Sequence, residues 1–128
     1  MKHRKKWAVT ALIGALAVGG AISVQAATSS QANLSTSQYY ADSGVVGDGN
    51  SVKITSDISA ISKYNVKVIT YGAAAGASFY KLDEVSVSPG GSYSNSKIKG
   101  GKSYSYYLEL NVAGVHKDCK AKGTIKLN

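Results

Sequence analysis

The sequence is short of the residues that staple small exported proteins or carry out chemistry. It has one cysteine, Cys119, so no internal disulfide can form, and stability must come from packing and hydrogen bonds. It has one proline, Pro89, and one phenylalanine, Phe79. Its tryptophan, Trp7, and its arginine, Arg4, both lie at the extreme N-terminus. Without arginine in the rest of the chain, bidentate recognition of phosphate or of base edges has no donor, which argues against specific nucleic-acid recognition. Charged residues make up 17% of the chain, below the usual figure of about 25%.

The same scarcity narrows the chemistry. His116, Asp118 and Cys119 offer three donors where a closed zinc site takes four. A Cys/His nucleophile pair fares no better. Strand alternation turns Cys119 inward, where an apolar environment leaves a thiol inert, while His116 falls in the preceding loop. Asp83 and Glu84 are adjacent, so in a strand they point to opposite faces and cannot work as a glycosidase pair. No G-x-S-x-G occurs, and Gly90-Gly91 and Gly100-Gly101 lack the Lys-Ser/Thr of a phosphate loop. Asp42 and Asp48-Gly49-Asn50 are calcium-ligand types without EF-hand spacing, and turn chemistry accounts for them. The expectation is a non-enzymatic protein with no cofactor and no metal.

The N-terminus is basic, with Lys2, Arg4, Lys5 and Lys6, and an apolar or small stretch follows from Trp7 to Val24. Val24 and Ala26 then place small side chains at −3 and −1 of a cleavage site. This is the pattern of a Sec signal peptide over residues 1–26, and it predicts a bacterial protein secreted to the medium or the cell envelope. No other membrane span and no lipid-attachment cysteine follows, so the mature chain, from Ala27, should lack a transmembrane segment. That mature chain keeps eleven lysines, all seven carboxylates and all nine tyrosines.

Residues 27–38 are polar and aperiodic and read as a flexible leader. Residues 39–128 read as a single all-β domain, a small antiparallel β-sandwich or partly open barrel of about seven to eight strands. Turns should fill 42–51 around Val45-Val46, and a single helical turn fits 57–62. Strands should run from Ser51, over 64–71, 77–82, 84–88 and 92–98, with turns at 89–91 and 99–102. The clearest pair is 103–111 and 119–127. In the first, Tyr104, Tyr106, Leu108 and Leu110 share one face and Tyr107 the other. In the second, Cys119, Ala121, Gly123, Ile125 and Leu127 oppose Lys120, Lys122 and Lys126. The short link between them predicts a hairpin.

Two features stand out as candidate sites. Lys117, Lys120, Lys122 and Lys126 concentrate positive charge near the C-terminus, and seven lysines from Lys97 to Lys126 meet only Glu109 and Asp118. They suit an anionic cell-wall polymer such as teichoic acid, anionic lipid headgroups, extracellular nucleic acid or another extracellular macromolecule. Edge protection is the competing explanation, since outward lysines block strand-to-strand aggregation. The other feature is tyrosine: Tyr39, Tyr40 and Tyr107 are expected at the surface, where they supply contact area or stack on sugar. The functional expectation is a secreted binding or surface-interaction protein. The alternative is a secreted bacteriocin-like antagonist, although no amphipathic helix with a broad apolar face follows residue 27.

Overall fold

The computed structural model describes residues 27–114 and 116–128. The expected signal peptide, 1–26, lies outside them. Among the described residues there is no helix, and hence none long and apolar enough to cross a membrane.

Seven strands follow in chain order: β1 (Ser29–Leu34), β2 (Tyr40–Asp42), β3 (Val46–Ile58), β4 (Val66–Ala73), β5 (Tyr80–Val87), β6 (Ser92–Val112) and β7 (Ala121–Leu127). All named strand pairs are antiparallel, in the order β1-β7-β3-β6-β4-β5, with β2 also beside β6. The architecture is all-β, as the alternation predicts.

The sheet folds over itself because β3 and β6 are long and bend. One leaf holds β1, β7, the later part of β3 and the start of β6. The other holds β5, β4 and the end of β6, with β2 alongside. Register shifts mark the bend: Ser51 pairs Lys99 and Gly49 pairs Tyr104, so one β3 residue, Asn50, faces four of β6. Such bulges increase strand bending. Tyr106 pins the corner. Its hydroxyl donates to Gly49 O at 2.9 Å and accepts from Gly100 N at 3.2 Å. Gly100 is required there, because a Cβ would stand 2.3 Å from the Tyr104 ring.

The core lies between the leaves. Val52, Ile54, Ile58 and Ile125 from one leaf meet Val66, Val68, Leu108, Leu110 and Val112 from the other. Contact is close enough that a Cβ on Gly123 would come within 2.7 Å of Leu108 Cδ2. Cys119 is fully buried, and its Sγ lies 3.2 Å from Tyr64 O, the inward position that alternation gave it.

Several expectations need correction. Residues 27–38 are not a flexible leader: Ser29–Leu34 form β1 against β7, with Ala32 and Leu34 in the core. Their backbone bonds outweigh a polar composition that only Ala32 and Leu34 interrupt. The 99–102 turn does not end a strand, because β6 runs through it. Likewise 77–82 and 84–88 merge into β5. The 57–62 segment is strand to Ile58 and then a turn closed by Ser62 N to Ser59 O. The predicted hairpin of 103–111 with 119–127 does not form. β7 lies between β1 and β3, and the connection from β6 crosses between leaves. Alternation fixes which face a strand buries and leaves its neighbour open.

Candidate functional site: a lysine face and an adjoining tyrosine groove

β7 is an interior strand, and this bears directly on its lysines. Alternation puts Ala121, Gly123 and Ile125 inward, so Lys122 and Lys126 leave the outer side of the leaf and are exposed, as is Lys120. Register then aligns polar rows across three strands. Lys126 stands opposite Ser29 on β1 and Lys53 on β3. Thr124 stands opposite Gln31 and Thr55, and Lys122 opposite Asn33 and Asp57. Continuing onto β6, Thr55 faces Ser94, Asp57 faces Ser92, and Ser51 faces Lys99.

This face therefore carries lysine, serine, threonine and amides with one carboxylate, Asp57. Among the described residues none of Lys53, Lys120, Lys122 and Lys126 is ion-paired. Edge protection does not explain them, since β1 and β3 cover both edges of β7. Lys53 and Lys126 also oppose each other directly, and like charges so placed are destabilising.

At the end of this face is a hollow of about 600 Å³, rimmed by Asn33, Ser35, Asp57, Lys120 and Lys122. A groove of about 520 Å³ shares Asn33 with it. It is lined by Gln38, Tyr39, Tyr40, Asp42 and Lys117, so the structure brings two candidate tyrosines together with one candidate lysine. Tyr39 and Tyr40 are 50% and 42% exposed. Lys117 Nζ sits 4.8 Å from the Tyr39 ring centroid, within cation–π range. Lys117 is thus separated from the β7 row and belongs to the groove.

Local bonding shapes the groove wall. Gln38 N donates to Ser35 O at 3.1 Å, and Gln38 Oε1 accepts from Ser35 N at 2.9 Å, closing the turn between β1 and β2. The segment next to Lys117 is held by Asp118 N to Thr36 O and Lys63 N to Asp118 O, with Asp118 in the left-handed region at φ 67°. Sequence reading missed Asn33, Gln38 and Lys53. Asn33 and Gln38 fell in the supposed leader, and Lys53 joins the face only through register with β7.

Tyr107 requires correction. It points outward from β6 as alternation predicts, yet it is 2% exposed. The Tyr71 ring stacks on it at 4.9 Å, and Phe79 meets it edge-on at 4.9 Å. Burial, reinforced by Glu109, Asp42 and Glu84, pushes the Tyr71 phenol up to about 12. Tyr107 is therefore part of an aromatic cover on the second leaf and is no exposed contact residue. His116 stacks on Tyr64 with centroids 4.0 Å apart, away from any metal-ligand cluster. Among the described residues no three His, Cys, Asp or Glu gather as a metal site.

No family model and no curated protein matches the chain. The fold is similar to PirA, at TM-score 0.48 and 10% identity over 84% of this chain and 99% of that one. It is also similar to the Yersinia pseudotuberculosis-derived mitogen YPM, at TM-score 0.39 and 4% identity over 82% of this chain and 80% of that one. Likeness at this level carries no argument about function.

Proposed function

We propose that this is a secreted, non-enzymatic binding protein that uses the outer face of its first leaf to hold an anionic polymer of the bacterial cell envelope. The observation that carries this reading is the interior position of β7. Its exposed lysines guard no edge, form no ion pair among the described residues, and face a further lysine on β3. Stability alone gives no reason to oppose Lys53 and Lys126, whereas a polyanion neutralises both. Lysine rather than arginine suits a flexible polymer held by point charges over planar, bidentate recognition.

The test is sedimentation of the protein with envelope fragments at low and high salt, alongside Lys120→Gln/Lys122→Gln/Lys126→Gln. The proposal expects co-sedimentation at low salt that is lost in the variant. Equal co-sedimentation of both proteins at every salt concentration would refute it. Killing of bacteria without any envelope retention would instead favour the antagonist alternative.

A further inference from the structure

We infer that the groove beneath Tyr39 and Tyr40 is a subsite for a neutral pyranose ring, so that the protein takes an anionic polymer bearing sugar substituents. The inference deepens the polymer-binding reading and rests on it. It follows from a contrast in charge between two contiguous surfaces. The lysine face is unbalanced: Lys53, Lys120, Lys122 and Lys126 are set against Asp57. The groove is balanced, with one lysine, Lys117, and one carboxylate, Asp42, in its lining. A balanced, amide-lined groove has no net attraction for an anion, while its mixed donors and acceptors match the hydroxyls of a neutral polyol.

The groove also has the apolar element that a sugar ring requires. Tyr39 and Tyr40 are adjacent, and both rings are substantially exposed at its wall. An exposed tyrosine ring presents a flat apolar body with few rotatable bonds, so ordering it costs little. Tyr39 is further held by Lys117 over its ring and by its own carbonyl, which accepts from Val112 N at 3.0 Å. Asn33 and Gln38 supply amide groups nearby. Gln38 lines the groove and uses its carbonyl on Ser35, which leaves its NH₂ as an available donor. A volume of about 520 Å³ lies within the ordinary range of small-ligand sites, roughly 300–1,000 Å³.

Asn33 makes the two surfaces one site. It lines both the groove and the hollow that ends the lysine face, so a chain laid along β7 would present a substituent at Tyr39 and Tyr40. Anionic groups would follow the lysines and the neutral ring would enter the groove.

The experiment is amide NMR on the isotope-labelled protein with two kinds of probe. Methyl glycosides of glucose, galactose and N-acetylglucosamine, at millimolar concentration, report the groove. Inorganic polyphosphate, which has no sugar, reports the lysine face. At least one glycoside should shift the amides of Asn33, Gln38, Tyr39, Tyr40 and Lys117, and polyphosphate should shift those of Lys53, Lys122 and Lys126. Tyr39→Ala/Tyr40→Ala should weaken glycoside binding about ten-fold or more, the scale of one lost anchoring contact, and leave polyphosphate affinity within about two-fold. Tyr39→Phe/Tyr40→Phe keeps the rings and should keep glycoside binding. Polyphosphate binding with no glycoside shift would overturn the subsite and leave the lysine face standing. Glycoside shifts that survive in the alanine variant would also overturn it. Glycoside shifts without polyphosphate binding would refute the polymer reading and the composite site with it. A dispersed spectrum of each variant certifies its fold.

Discussion

The outer faces of the two leaves treat charge in opposite ways. On the second leaf, Lys67 and Lys81 both reach Glu84, and Asn111 Nδ2 donates to Glu109 Oε2 at 2.7 Å. Its aromatic side chains cover one another, so Tyr107 is buried although it points away from the core, and Ile69 on the same side of the leaf is buried too. On the first leaf no such pairing occurs among the described residues. Lysines stand in rows with serine, threonine and amides, and no aromatic ring shields them. The two faces therefore differ in their lysines: Lys67 and Lys81 share a carboxylate on the second leaf, where Asp42 also stands opposite Glu109, whereas Lys53, Lys120, Lys122 and Lys126 on the first leaf have no ion-pair partner among the described residues.

That contrast should vanish in the interior, where both leaves contribute to one core. Leu108→Ala on the second leaf removes a fully buried side chain packed over Gly123 of the first. Chemical denaturation should show a loss of about 2–5 kcal/mol. A loss below about 1 kcal/mol would mean that the leaves do not share a close-packed core.

Tyr106→Phe tests the corner that joins the leaves. It removes the hydroxyl and leaves Gly49 O and Gly100 N without that partner. The expected cost is about 1–3 kcal/mol by the same measurement.

Charge substitutions should then act in opposite directions on the two faces. Glu84→Gln on the second leaf strands Lys67 and Lys81, and the loss should stay within about 1 kcal/mol because the pair is largely solvated. The Lys81 hydrogen bond, with Lys67 beside it, holds the Glu84 carboxyl below the ordinary glutamate range. A depressed acid stabilises the fold above its unfolded pKa and loses that contribution as pH falls through its folded value. The Glu84→Gln variant should therefore show a shallower acid limb in thermal melts. On the first leaf, Lys53→Gln/Lys126→Gln relieves a like-charge pair and should raise stability by a few tenths of a kcal/mol at low salt. Added salt should erase that gain.

The sequence was legible where alternation was strict and buried. Val66, Val68 and Thr70 on β4 and Leu108 and Leu110 on β6 face the core as their spacing requires. Cys119 does as well. What alternation could not supply was adjacency. Residues 103–111 and 119–127 are close in sequence with a short link, yet β3 occupies the place beside β7 that a hairpin would need. Tyr107 shows the same gap at the level of a side chain, since its direction was readable but the rings of Tyr71 and Phe79 that cover it were not. The groove was the least visible feature. Tyr39 precedes β2 and Tyr40 opens it, Lys117 precedes β7, and only the crossing from β6 to β7 brings them together.

The central claim is that the unpaired lysines of β7 bind an anionic polymer, and a salt series on polyphosphate affinity tests it most directly. The native protein should bind at low ionic strength, with affinity falling steadily as salt shortens the screening length to roughly 8 Å near physiological strength. Lys120→Gln/Lys122→Gln/Lys126→Gln should bind at least about ten-fold more weakly at low salt, with a flatter salt dependence and a melting temperature no lower than that of the native protein. Affinity that is the same in both proteins, or that does not change with salt, would contradict the account.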